Sequence, residues 1–274
     1  AETILNKGFR LIACPAVVWC AWGPRVGEWQ FKNINAYAEV YGKLNHPNNL
    51  GIILSNWLPI RYLQNSQWDT YTIAAEIVKN KGNYNYMDAI PAYVKNNFGA
   101  KYDAAWEKVY RTLYKETLES RCGRNEDLKF SPWSSDKNID DVILHNKQIK
   151  TRLGELTDAL ATCQKSIQKN EADFEALLLT IEFMDYIYKR QNGLLEFVKS
   201  GITDLQTVQT YLKKVAMEDQ EMLSQINLAW EVGRRDHPDL ADREYMWSFY
   251  HASEYSKRLS NNPLEFIEIL KISN

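Results

Sequence analysis

The sequence predicts a mainly α-helical protein that opens with a short α/β portion. Three observations predict it. Residues 8–19 (GFRLIACPAVVW) and 50–57 (LGIILSNW) are strand-like apolar runs, of the kind that forms strands buried on both faces. One amphipathic stretch lies between them, which makes a βαβ unit with parallel strands. Beyond about residue 70 the apolar pattern has helical spacing almost throughout. Parallel strands need neighbours on both sides. The unit therefore reads as the last βαβ of a TIM-type barrel, followed by a helical bundle. The expected organisation is 1–80 as the C-terminal end of a (β/α)8 barrel, 81–137 as a helical connecting region and 138–274 as an α-helical bundle domain.

The elements follow in order. Pro15 would forfeit a ladder hydrogen bond, so the first regular strand is expected to end near Cys14 and Pro15 to begin the exit loop. A Trp- and Gly-rich loop continues to about residue 29 and carries Trp19 and Trp22. Phe31, Ile34, Tyr37, Ala38 and Tyr41 recur at helical spacing and give a crossover helix that closes near Gly42. HPNN at 46–49 is a turn, and Pro59 breaks the second strand. Thr70, Ile73, Ala74, Ile77 and Val78 form the next helical face. A short helix over 89–97 ends before Gly99. Residues 103–121 place Trp106, Val109, Tyr110, Leu113 and Thr117 on one face, and 122–137 reads as a linker.

The tail is more regular. Val142, Ile149, Leu153, Leu156, Leu160, Cys163 and Ile167 form a seam, with Asn146 at one position. Phe174, Leu177, Leu178, Ile181, Met184, Ile187 and Tyr188 make a returning helix. Thr203 with Gln206 reads as a capping box for a third long helix through Leu205, Val208, Leu212, Val215, Ile226 and Trp230. Pro263 at a first helical position opens the last helix. A seam of this kind also offers a route to a homo-oligomer through the helical domain.

Composition excludes several classes. A net charge of −2 argues against sequence-independent nucleic-acid binding, which needs a basic excess. No run of 18 apolar residues exists, so no membrane span is expected. Cys14, Cys20, Cys122 and Cys163 form no CxxC pair and read as free buried thiols. The histidines are scattered. No metal site and no cofactor motif is expected.

In a barrel of this type the active site lies at the C-terminal ends of the strands. Here those ends carry Ser55, Asn56 and Trp57, followed by Arg61 and Tyr62. A hydroxyl, an amide, an indole and a guanidinium in one short run suit a hydroxyl-rich ligand, so a carbohydrate is the expected partner. The other reading is that Trp57 plugs the barrel end. Glycosidic cleavage normally needs two carboxylates close together. The strand ends offer only Glu28, with Asp69 further along, so Glu28 is the one catalytic candidate. It also reads as a surface charge in a helix's first turn, where the dipole favours an acid.

The runs GFRLIACPAVVW, WQFKNINAYAEVYGK and LGIILSNWLPIRY together resemble the end of the catalytic barrel in β-N-acetylhexosaminidases of glycoside hydrolase family 20. The resemblance covers roughly residues 5–65. It implies that Trp57 is the last-strand Trp lining the sugar pocket, and that Trp19 and Trp22 occupy the loop after the penultimate strand. Family members often follow that Trp with an acidic residue that binds a sugar hydroxyl. Here Leu58 and Pro59 follow, which shifts the role to Asn56 and Arg61. The family's catalytic Asp-Glu pair, at the end of the fourth strand, has no counterpart in this chain. The resemblance therefore implies pocket walls rather than the catalytic acid, in a protein working outside the cytoplasm. In such enzymes the substrate's own acetamido group attacks the anomeric carbon. The alternative is a non-enzymatic helical scaffold or interaction module.

Overall fold

A computed structural model describes residues 1–18, 28–56, 63–114, 139–233 and 247–272. After a single helical turn (α1, Glu2–Leu5) the chain forms β1 (Leu11–Ala13) and β2 (Ala16–Val18). Helix α2 (Glu28–Gly42) leads to β3 (Asn49–Ile52) and β4 (Ser55–Asn56). Strand β1 pairs with β3 and β2 with β4, both in parallel. The two apolar runs are thus neighbours along their length, joined through α2.

Pro15 behaves differently from the expectation. It interrupts the strand without ending it, because the ladder resumes at Ala16. The Pro15 carbonyl still accepts from the Ser55 N–H at 3.0 Å. Only the donor is missing from proline.

Burial on both faces is also not what these strands show. Ala13, Ala16 and Val17 are buried, while Phe9, Ile12, Leu50 and Ile53 are exposed. Among the described residues, α2 and α3 (Trp68–Lys79) pack on this unit. Side chains alternate across a strand, so Ile12 and Cys14 share the side of β1 away from the buried Ala13, and among the described residues that side stays open. Cys14 falls on that open side and is exposed, which corrects its reading as a buried thiol. Cys163 is buried as expected. Cys20 and Cys122 lie outside the described residues.

Helix α3 buries Thr70, Ile73, Ala74 and Ile77 as its spacing foretold, while Val78 of the same expected face is only half-buried. The turn that follows is built on Gly82, at φ +78°. A Cβ there would stand 2.3 Å from the Glu39 backbone nitrogen of α2. Only glycine lets this turn lie against the helix. A 3₁₀ turn (Tyr86–Ala89), one α turn (α4, Ile90–Tyr93) and one π turn (Val94–Phe98) then end at Gly99 in the left-handed region. Helix α5 (Ala104–Tyr114) buries Trp106, Val109, Tyr110 and Leu113. Thr117 and the linker expected over 122–137 lie outside the described residues.

The helical part comprises α6 (Ile139–Gln164), α7 (Glu171–Lys199), α8 (Leu205–Gly233), α9 (Trp247–Asn261) and α10 (Pro263–Ile272). Ion pairs Asp140–Lys199, Lys147–Glu196 and Lys150–Asp185 show α6 and α7 running antiparallel. Ile149, Leu153, Leu156, Leu160 and Cys163 are buried in the seam, but Val142 is only half-buried and Ile143 takes its place. Ile167 is half-buried too. The seam packs against α7 and also against α5, a neighbour the spacing did not foretell. Asn146 is buried and donates to Gln191 at 2.7 Å and Asn192 at 2.9 Å.

The cap of α8 is Asp204 rather than Thr203. Its carboxylate accepts from the Thr207 N–H at 2.8 Å and from the Thr207 hydroxyl at 2.6 Å.

One apolar core runs from Val17 through α2, α3, α5, α6 and α7 to Ala252. A smaller one joins Leu194, Val208, Leu212, Leu259 and Phe266. Aromatic rings cross the larger core in a chain. Phe31 meets Tyr114 at 4.8 Å, Tyr114 stacks on Tyr110 at 6.0 Å, Tyr110 on Trp106 at 6.2 Å, and Trp106 reaches Phe174 at 6.0 Å. The abundance of aromatic residues thus serves helix packing for a large part. These rings carry contact area from α2 in the α/β unit to α7 in the bundle.

Candidate functional site

The strand ends are built by β2 and β4, whose last residues Val18 and Asn56 are paired. The segments carrying Trp19, Trp22, Trp57 and Arg61 follow these ends and lie outside the described residues. Asn56 is placed by its backbone in β4. The side chain of Ser55 donates to the Pro15 carbonyl at 3.3 Å, across the two strands.

Behind the strand ends lies a buried polar layer. Gln30, on the first turn of α2, is fully buried, and its side-chain amide donates to the Ala16 carbonyl of β2. Its own carbonyl oxygen has no partner among the described residues. Ser66, Gln67, Asp69 and Thr70 are buried where the chain returns from 57–62. The Ser66 hydroxyl donates to the Leu63 carbonyl at 2.7 Å, Gln67 donates to Ser66 at 3.3 Å, and Thr70 donates to Gln67 at 3.4 Å. The Tyr114 hydroxyl donates to the Asp69 carboxylate. Buried polar groups require such partners, so this set fixes the start of α3, which packs on β2.

The two carboxylates of interest end in different settings. Glu28 sits in the first turn of α2 and pairs with Lys32 at 3.4 Å, one helical turn on. Asp69 is 2% exposed. Tyr86 lies between them. Its hydroxyl faces Glu28 without a hydrogen bond of standard geometry, and its ring meets Tyr114 at 5.9 Å. Burial first, and then the Glu28 charge, push the Tyr86 hydroxyl well above its ordinary pKa. The described strand ends therefore bring no two accessible carboxylates together, and a two-carboxylate glycosidase needs such a pair. Glu28 takes the bond expected of a surface charge. What the layer can do chemically is hold loops and present directional hydrogen bonds.

The sequence reading missed Gln30, Gln67 and Tyr114. Gln30 carried a weak signal, a polar residue beside Phe31 on the buried face. Tyr114 carried none, because its partner lies 45 residues away. Among the described residues, no group of three or more His, Cys, Asp or Glu side chains could hold a metal ion. No described helix is long and apolar enough to cross a membrane. Family models, curated proteins and solved structures give no match to this chain.

Proposed function

We propose that the chain is the C-terminal portion of a glycoside hydrolase resembling the β-N-acetylhexosaminidases, acting on glycans that contain N-acetylhexosamine. In this reading it supplies walls of the sugar pocket and not the catalytic acid. The observation that carries the proposal is the parallel pairing of the two strands, which brings Val18 and Asn56 side by side. The Trp19–Trp22 segment and the Trp57–Arg61 segment then leave from adjacent strand ends, the edge of a parallel barrel where ligands bind. The side of β1 that carries Ile12 and Cys14 is open among the described residues, which adds support. A barrel fills that side with side chains from its other strands.

Trp57 is the stacking platform, and Asn56 and Arg61 are the groups that bond sugar hydroxyls. The chain alone is expected to release no aryl alcohol from an aryl N-acetylglucosaminide. In a protein extended upstream by the remaining barrel strands, Trp57→Ala is expected to weaken binding of a thiazoline mimic far more than it lowers stability. Equal affinity in wild type and variant would remove Trp57 from the site. Turnover by this chain alone would overturn the pocket-wall role.

The scaffold reading keeps one observation in its favour. The helical part buries its seam residues within the chain and forms the bulk of the structure. A glycan titration with no response would favour it.

A further inference from the structure

A second site lies on the outer side of α3, away from the buried polar layer. A groove of about 690 Å³ runs between α3, the turns over 84–97 and the start of α7. That volume suits a ligand of a few rings. Its walls carry Trp68, Tyr71 and Tyr84, over a floor formed in part by the buried Tyr93. Trp68 is 38% exposed, and its ring stands 5.7 Å from that of Tyr71 at 53°.

These rings are held in place by polar groups from distant segments. Asp173, in the first turn of α7, is half-buried in the groove. Asn97 donates to it at 3.5 Å, and the Trp68 indole lies beside it. Asn97 also donates to the Tyr93 hydroxyl at 3.2 Å, and Asn170 donates to the Asn97 carbonyl at 2.8 Å. Burial pushes the Asp173 carboxyl above its usual range, while Asn97 and Trp68 pull the other way. A Trp that only filled space would have no need of an exposed face and a polar anchor together.

The charge of the lining narrows the ligand. Glu76 and Asp173 face the groove, and no Lys or Arg lines it among the described residues. Lys79 pairs with Glu76 from outside, at 3.3 Å. Phosphate, sulfate and uronate groups would face these two carboxylates. Flat ring faces, two amides (Asn96 and Asn97) and an acceptor carboxylate match the alternating C–H faces and hydroxyl edges of a pyranose. We propose that this groove binds an uncharged oligosaccharide, with Trp68 and Tyr71 stacking on sugar faces and Asp173 accepting from a hydroxyl.

The residues named here are all described ones, and none belongs to the strand ends, so the inference stands apart from the barrel reading. Titration calorimetry of the protein with tri-N-acetylchitotriose, cellotriose, trigalacturonate and trilysine tests it. Saturable binding of a neutral trisaccharide is expected, with none of trigalacturonate. Trp68→Ala is expected to weaken that binding about tenfold or more, as for a central aromatic contact. Trp68→Phe, which keeps a ring face, should lose less. Asn96→Ala, at an exposed position that leaves the fold untouched, should weaken it several-fold.

Absence of saturation by either neutral sugar at about 20 mM, well above a millimolar Kd, overturns the proposal. Binding of trilysine without any sugar also overturns it, and marks a cation site. Unchanged affinity in Trp68→Ala and Asn96→Ala overturns it as well. If the loss follows Trp57→Ala instead, the groove assignment fails while the strand-end reading stands.

Discussion

At the N-terminal sheet, Phe9, Ile12, Leu50 and Ile53 lie exposed, whereas in the helical body Leu153, Leu156, Leu160, Phe174 and Ile181 are almost wholly sealed. The same kind of residue is used in two ways. In the helices the apolar stripe is matched by a partner helix of the same chain, so the burial is complete. In the sheet only the side under α2 and α3 is covered among the described residues. An apolar residue contributes to stability only where water leaves it. The helical body should therefore respond strongly to truncation, and the outer sheet face hardly at all.

The largest effect is expected at Asp219. Its carboxylate accepts from Arg190 Nε at 2.8 Å, from Tyr186, and from the Ser256 hydroxyl at 2.6 Å, all buried between α7, α8 and α9. Asp219→Ala leaves the guanidinium buried and uncompensated, which should cost about 3–5 kcal/mol. Urea denaturation measures it. Replacing Arg190 and Asp219 together by Met and Leu should recover much of the loss.

Next comes Leu156→Ala, fully buried between α6 and its neighbours. It should cost about 2–5 kcal/mol as a core leucine. A loss well below that would mean the seam can collapse around the cavity.

A smaller, pH-dependent effect belongs to the start of α8. The Thr207 hydroxyl and N–H hold the Asp204 carboxyl below its usual range. The cap is therefore complete above the unfolded carboxylate's pKa and is lost as pH falls through the lowered one. Asp204→Ala should melt earlier than wild type at neutral pH. The gap in thermal midpoint should close as the solution is taken to pH 2.

The smallest effect is expected on the open sheet face. Ile53→Thr keeps a β-branched side chain at an exposed position just past β3. It should change stability by less than about 0.5 kcal/mol. A loss of a kilocalorie or more would show that this face is covered in solution, and would break the contrast between the two regions.

Much of the fold was legible from local pattern. The helical faces of α3, α5, α6 and α7 followed from 3–4 spacing, because each apolar stripe has a single side to bury. The parallel pairing followed from two apolar runs joined by a helix. Errors fell where the pattern allowed two answers. Thr203 and Asp204 are both capping residues, and the backbone chose the second. Val142 and Ile143 are adjacent, and the twist of α6 against α7 turned Ile143 inward. Cys14 was misplaced because a continuous apolar run hides alternation. The groove at Trp68 was invisible for another reason. Its walls come from residues 68–97 and from Asp173, and no local rule joins them. Gly99 marks that junction. A Cβ on it would come 3.1 Å from the Gln168 side chain, and the Gln168 N–H donates to Phe98 at 2.9 Å.

The Arg190–Asp219–Ser256 cluster also acts on the helices as rigid rods. A ridge-and-groove surface lets two helices slip against one another in steps of a turn, about 5.4 Å. A guanidinium held by both Asp219 oxygens and the Ser256 hydroxyl tolerates no such slip, since one step would strand every member of the cluster at once. The cluster works as a detent that fixes the register of the three rods along their axes.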